Sequence, residues 1–344
     1  MIETKRWNVD TNKEQNERMI IEAANELTSG GTVAFPTETV YGLGADATNE
    51  EAVAKIFKAK GRPQDNPLIA HVATKEQLMQ LVNDVPAYVD KLIETFSPGP
   101  ITYVLTSNGT SAANVTAGLS TVGVRIPSHP VALALLRACN TPIAAPSANL
   151  SGKPSPTTAD HVWEDLAGRI NGLVDGGPTG VGVESTVVDC TQDIPIILRP
   201  GGISKEELEE VVGTVMVDPA LLHADSKEKP KAPGMKYRHY SPDVPMWLVE
   251  GGSARLQAVY DELVAEGKQV GILANRNTLE KLEVQQSISL GESLEDVAAS
   301  LYDGLRKYKQ GDVDIILCET YPQIGIGQAI MNRLKKAASR YVEE

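Results

Sequence analysis

Cysteine is scarce in this chain, with three in 344 residues. Cys139, Cys190 and Cys318 stand far apart, and none belongs to a C-x-x-C pair. That argues against a disulfide framework or a thiolate zinc site. They read as small apolar residues in a reducing compartment. Aromatics make up only 5% against a hydrophobic fraction of 42%, so the core must be assembled from Val, Ile, Leu and Ala. This mixture suits an α/β protein with largely buried strands. No apolar run approaches the ~18 residues of a membrane-spanning helix, and the opening MIETKRWNVD carries no apolar signal segment. The expectation is a cytoplasmic protein without a membrane partner. Positive charge is in deficit too, with a net charge of −13. A broad, tight grip on nucleic acid by counter-ion release needs a basic face, and this balance argues against one. A local positive pocket remains open.

Familiar catalytic signatures are also missing. There is no G-x-x-x-x-G-K-[ST], because Ser151-Gly-Lys-Pro154 lacks the glycine spacing and the hydroxyl. No complete G-x-G-x-x-G occurs, so a nucleotide site would be neither a P-loop nor a dinucleotide fingerprint. No G-x-S-x-G elbow presents a serine, and no cysteine has a visibly basic setting. Histidines number five: His71, His129, His161, His223 and His239. None forms a metal-spaced cluster with acids, so any Mg²⁺ would ride on the phosphates of a nucleotide. His129 precedes Pro130 and marks a helix start, and His161 falls on a helix. His71 follows the apolar Leu-Ile-Ala run and is the best ligand candidate.

The pattern predicts helices over Glu14–Leu27, after a capping box at Thr48–Glu51, after Thr74, and after a second box at Ser204–Glu207. Strands are expected at Thr32–Pro36, Leu68–Val72, Ile101–Thr106, Thr121–Ile126, Pro142–Ala145, Ser185–Cys190 and Ile194–Leu198. Interleaving without a simple repeat favours a mixed twisted sheet over a strictly doubly wound one. This first domain is expected to span 1–217. A proline-broken, charged linker follows over 218–243. A smaller βαβ-type domain occupies 244–344, with strands at Met246–Val249, Gln269–Leu273 and Asp314–Cys318. Its helices are expected at Ala254–Ala265, Leu294–Tyr308 and Gly327–Tyr341, the last closing the chain.

Several segments join apolar runs to small polar or Pro/Gly residues, so strand ends converge where ligands bind in open α/β sheets. Four cations sit at such junctions: Lys60 and Arg62 in a turn after a helix, Arg125 and Arg199 at strand ends. Singly, each could be a solvated surface group. Together, in an acidic protein, they suit a polyanionic small ligand such as a nucleotide. Ala145-Pro-Ser-Ala-Asn149 offers hydroxyl and backbone donors, or is an ordinary strand-to-turn transition. Lys236-Tyr-Arg-His-Tyr240 in the linker could cover a nucleotide, stick to a domain surface, or stack on nucleic-acid bases.

Taken in order, the segments PTETVYGLG, KGRP…NPL…H, SPGP, VRIPSHP, APSANLSG, GVEST, LRPGG and APGMKYRHYSP resemble the threonylcarbamoyl-AMP synthase family in its two-domain form. The resemblance runs from about Asn16 to the C-terminus, and Gly327-Gln-Ala-Ile-Met-Asn-Arg-Leu334 matches the closing motif. It implies a YrdC-like α/β fold, a twisted open mixed sheet with a concave positive cavity, and a second, smaller Rossmann-like α/β domain. It implies that Thr39, His71, Arg125 and Ser185 hold threonine, helped by the backbone around Ala145. Lys60, Arg62, Asn66, Thr121, Ser147, Ser155 and Arg199 would hold ATP, with Lys60 and Arg62 stabilising developing charge and Tyr237 closing as a lid. The implied substrates are ATP with Mg²⁺, L-threonine and bicarbonate. The product would pass to a tRNA threonylcarbamoyl transferase, without tight tRNA binding by this chain. The rival readings are an RNA-binding module and a transferase that uses carbamoyl phosphate.

Overall fold

The computed structural model describes residues 2–9, 13–221 and 239–343. Tyr237 and linker residues 222–238 lie outside them. Two compact units are distinguished: Met1–Ser151 with Pro156–Gly180 and Glu184–Lys236, and Tyr237–Glu344 with Gly152–Ser155 and Val181–Val183.

In the first unit the strands are β1 (Lys5–Asn8), β2 (Val33–Phe35), β3 (Gly42–Asp46), β4 (Ile69–His71), β5 (Val82–Asn83), β6 (Ile101–Ser107), β7 (Thr121–Arg125), β8 (Ile143–Ala144), β9 (Gly172–Asp175), β10 (Thr186–Asp189), β11 (Ile196–Arg199) and β12 (Met216–Val217). They form one mixed sheet in the order β1-β9-β2-β3-β8-β4-β7-β6-β10-β11-β12, with β5 paired to β6. The helices are α1 (Lys13–Thr28), α2 (Glu50–Lys60), α3 (Lys75–Met79), α4 (Ala87–Phe96), α5 (Ala113–Thr116), α6 (Pro130–Cys139), α7 (Ala159–Leu166) and α8 (Lys205–Val212).

Strand alternation divides the centre of this sheet into two faces. Ala70, Tyr103, Leu105, Val122, Val124 and Val188 join Val53, Ile56 and Phe57 of α2 and Val89, Leu92 and Ile93 of α4 in the largest core cluster. Their neighbours in the strands, Ile69, Val104 and Val187, form a small separate cluster with Leu198. That second face carries polar residues at the strand ends. Toward β2 and β8, residues of α1 and α6 cover the sheet, with Ala23, Leu27, Leu135 and Leu136 against Val33, Phe35 and Ile143.

Local signals explain where helices begin. Thr74 accepts a bond from Gln77 N, and Ser204 with Glu207 makes a full capping box. His129 caps α6 by accepting from Val131 N, with Pro130 at the first helical position. The box expected at Thr48 is corrected: Asn49 caps α2 by accepting from Ala52 N, while Thr48 N and Oγ1 both bind Asp46. Asp46 offers Thr48 a nearer partner, which leaves the cap to the next residue. Lys60 ends α2 because Gly61 follows it in the left-handed conformation, φ +62°.

The second unit holds β13 (Met246–Val249), β14 (Val270–Ala274), β15 (Gln286–Ser289), β16 (Ile315–Glu319) and β17 (Arg340–Val342), with α9 (Gly252–Ala265), α10 (Arg276–Leu279), α11 (Leu294–Lys307) and α12 (Gly327–Ala337). Its sheet order is β15-β14-β16-β13-β17 and every pair is parallel. Parallel pairing needs long crossovers, which helices such as α9, α11 and α12 supply. The closing helix is shorter than expected: it stops at Ala337, and Arg340–Val342 pairs with β13 instead. Trp247 on β13 draws the chain back, since the Arg340 guanidinium lies 4.4 Å from its ring centre.

All three cysteines are free and buried. Burial raises the thiol of Cys139 to about 12 and those of Cys190 and Cys318 further still, so they remain protonated. Among the described residues no helix is long and apolar enough to cross a membrane. Leu105 on the core face of β6 is fully buried, so Leu105→Ala is expected to lower unfolding free energy by about 2–5 kcal/mol. Urea titration would register this as a reduced midpoint with an unchanged slope.

Candidate functional site

Register builds the site. β4 pairs β7 with His71 opposite Arg125. β7 pairs β6 with Val124 opposite Tyr103, which brings Thr102 opposite Arg125. Thr102 in turn lies opposite Val187 of β10, and Val187 opposite Arg199 of β11. Residues opposite one another share a face. His71, Arg125, Thr102 and Arg199 therefore stand in one row across the sheet, on the face away from the main core.

Arg125 is 4% exposed. Its Nη1 donates to Thr39 Oγ1 at 2.9 Å and its Nη2 to Glu38 Oε1 at 2.5 Å, with a longer contact of 3.4 Å from Nε to Gly99 O. Thr39 is itself fixed by Thr37 Oγ1 at 2.8 Å. The other Glu38 oxygen accepts from Ser128 N at 3.1 Å. The arrangement is a donor pocket for a carboxylate and a hydroxyl.

His71 sits beside Arg125, edge-on to the ring of Phe35. Its Nδ1 lies 3.1 Å from Ile69 O. A carbonyl only accepts, so in this contact Nδ1 is the donor. Burial, aided by the Arg125 charge, pushes its pKa down to about 3. The imidazole is neutral near neutral pH.

Ser185 links the row's far end to its centre. Its hydroxyl bonds Thr102 Oγ1 at 2.8 Å and accepts from Arg199 Nη2 at 3.1 Å. The Ser185 carbonyl accepts from both Nε and Nη2 of Arg199. Gly201 makes this clamp possible, because a Cβ there would lie 2.2 Å from Thr186 N and 2.3 Å from Ser185 C.

Lys60 reaches from the end of α2 into the loop after β8. The residue is 3% exposed, and its ammonium donates to the carbonyls of Ser147 and Asn149. Ser147 Oγ bonds Asn149 Oδ1 at 2.5 Å. Ala145 N donates to Ile69 O, so this loop is tied to β4. Arg62 is half-buried, with long contacts of 3.4 and 3.5 Å to the carbonyls of Asn66 and Pro67. Asn66 is buried, and its Oδ1 has no hydrogen-bond partner, an acceptor suited to a ligand N–H.

The structure thus brings together Thr39, His71, Arg125, Ser185 and Arg199, and separately pairs Lys60 with Ser147 and Arg62 with Asn66, with Ala145 tied to β4. Thr121 shares the face of Arg125 but lies at the other end of β7, about 13 Å away at ~3.3 Å per residue. Ser155 is buried and belongs to the second unit. Tyr237 lies outside the described residues. Sequence reasoning passed over Glu38, Thr102 and Ser128. Thr102 could have been found as a polar residue on the alternate face of an apolar strand, and Glu38 as the one charge inside PTETVYGLG. Ser128 acts through its backbone and leaves no side-chain signal. Among the described residues no group of three or more His, Cys, Asp or Glu could hold a metal ion.

A family model described as "Telomere recombination" matches residues 25–201, and one described as "Threonylcarbamoyl-AMP synthase, C-terminal domain" matches 203–339. Threonylcarbamoyl-AMP synthase of Bacillus subtilis is 51% identical over 98% of this chain and 98% of its own. The Pyrococcus abyssi protein of the same name is 47% identical over 92% and 93%. A crystal structure of P. abyssi Sua5 complexed with L-threonine superposes with a TM-score of 0.92 at 43% identity, covering 99% of each chain.

The depressed His71 fixes a pH dependence. Between pH ~6.5 and ~3 the unfolded chain binds a proton that the folded His71 refuses, so folded stability falls as pH drops through that window. Urea midpoints from pH 7 to 4 should fall less steeply in His71→Asn, with His129, also depressed by burial, keeping a residual slope. Equal slopes in both proteins would refute the neutral buried imidazole.

Proposed function

The chain belongs to the threonylcarbamoyl-AMP synthase family, and on that premise we propose that it condenses L-threonine, bicarbonate and ATP into threonylcarbamoyl-AMP and pyrophosphate. The observation that carries the reading is the buried Arg125 fork, with the Thr39 hydroxyl and a carboxylate already in its reach. A free amino acid presents the same carboxylate.

In this reading Arg125 clamps the threonine carboxylate, while Thr39, Ser185 and neutral His71 orient the rest, with the backbone at Ala145 alongside. ATP enters as its Mg²⁺ complex. Arg62, Lys60 and Ser147 would contact its phosphates, and Asn66, Thr121 and Arg199 would complete its site. The threonine amine attacks the carbon of bicarbonate-derived CO₂, forming the C–N bond and releasing a proton. A carbamate oxygen then attacks the α-phosphorus, and the bond to pyrophosphate breaks. The reaction is a nucleotidyl transfer that needs no covalent enzyme intermediate. Catalysis rests on holding reactants in line and on cations placed where negative charge grows. Such an adenylate, made in the cytoplasm, serves as the donor for a tRNA threonylcarbamoyl transferase that forms N6-threonylcarbamoyladenosine.

The test is pyrophosphate release by the purified protein. Release should require threonine, bicarbonate and ATP together, and carbamoyl phosphate should not replace the last two. Arg62→Ala should lower kcat/KM for ATP about tenfold or more, equivalent to ~1.4 kcal/mol of transition-state stabilisation. Release from ATP without threonine, or full activity in Arg62→Ala, would refute the assignment.

A further inference from the structure

Arg125 already has a carboxylate. Glu38 Oε1 takes its Nη2 at 2.5 Å, and Oε2 takes Ser128 N at 3.1 Å. Guanidinium and amide form a two-point seat, and Glu38 fills it as a substrate α-carboxylate would. The seat is rigid on both sides. Arg125 ends a sheet strand with its Nη1 held by Thr39, and Ser128 lies between Pro127 and Pro130, immediately before the α6 cap. Glu38 is the adaptable member. From Gly30 to Ala45 every residue is buried except Glu38, whose side chain remains 13% exposed.

Two carboxylates do not share this seat cheaply. A second one beside Glu38 would leave a net negative charge on a single guanidinium out of water, and uncompensated buried charge is costly. An empty seat is costly for the same reason, since Arg125 would then be the unpaired charge. Exchange avoids both states: one carboxylate leaves for solvent as the other arrives, and Arg125 stays paired throughout.

We propose that Glu38 is a placeholder for the amino-acid carboxylate, a positioning residue that keeps Arg125 and Ser128 N–H set for a carboxylate and is displaced when threonine binds. The inference rests on the assignment of Arg125 as the threonine clamp. Its consequence is that Glu38 weakens threonine binding by competing for the seat, so the wild-type site is tuned to a lower affinity than its donors allow. The groups facing Glu38 are Arg125, Ser128 N–H and the ring of His129, on which its charge acts.

The experiment is calorimetric titration of L-threonine, with KM and kcat from pyrophosphate release, on wild type, Glu38→Gln, Glu38→Asp and Arg125→Ala. Glu38→Gln keeps the shape and removes the competing charge. The threonine Kd and KM should fall about three- to tenfold, and the KM for ATP should stay unchanged. Glu38→Asp, a shorter carboxylate with poorer reach to both donors, should fall between the two. It also provides the same ordering should Glu38→Gln fail to fold. A threonine Kd that rises or stays constant in both variants, while Arg125→Ala abolishes binding, overturns the placeholder and leaves the clamp standing. Wild-type threonine affinity in Arg125→Ala overturns the clamp itself, and the placeholder with it.

Discussion

A buried guanidinium has to be paired, and much of the first unit follows from where this protein keeps one. Arg125 ends β7 on the sheet face that the main core does not use. Its partners come from separate pieces of chain: Thr39 and Glu38 between β2 and β3, and Gly99 before β6. These pieces converge only if β4, β7 and β6 stand side by side, and the sheet order provides that. Removing one partner of a buried ion pair costs far more than the pair gains over apolar packing. Stability alone is therefore a weak reason for the arrangement.

The second constraint is division of labour between faces. Val124 and Arg125 are adjacent in sequence and serve opposite sides of the sheet, the first in the main core and the second in the site row. The same holds for Tyr103 beside Thr102 and for Ala70 beside His71. A one-residue slip in any of these strands would exchange core for site. Rigidity of the packed face is thus what places the polar face.

Much of this was legible in the sequence, and the gaps have physical causes. Helix starts at Thr74, His129 and Ser204 were readable because capping depends on neighbours within a few residues. Asn49 displaced Thr48 as a cap through a competing contact to Asp46 that local pattern does not weigh. Strand β3, Gly-Leu-Gly-Ala-Asp, was missed because its glycines hide its alternation. Gly44 is required there, since a Cβ would lie 2.8 Å from Ile143 Cγ2 and 2.9 Å from the Phe35 ring. At the site, cations and hydroxyls at strand ends could be recognised by type. Who binds whom could not: the Ser185 clamp on Arg199 and the Glu38 seat depend on pairings between residues 14 and 87 positions apart.

The central claim is that one site joins three reactants without a covalent enzyme intermediate. The most direct measurement supplies ¹³C-bicarbonate with threonine and ATP, and analyses the product by mass spectrometry before it hydrolyses. The account predicts a single adenylate that contains threonine and is heavier by about one mass unit, from a label carried in the carbonyl between nitrogen and phosphorus. A threonyl adenylate without the additional carbon, or AMP formed with no threonine-containing intermediate, would contradict it.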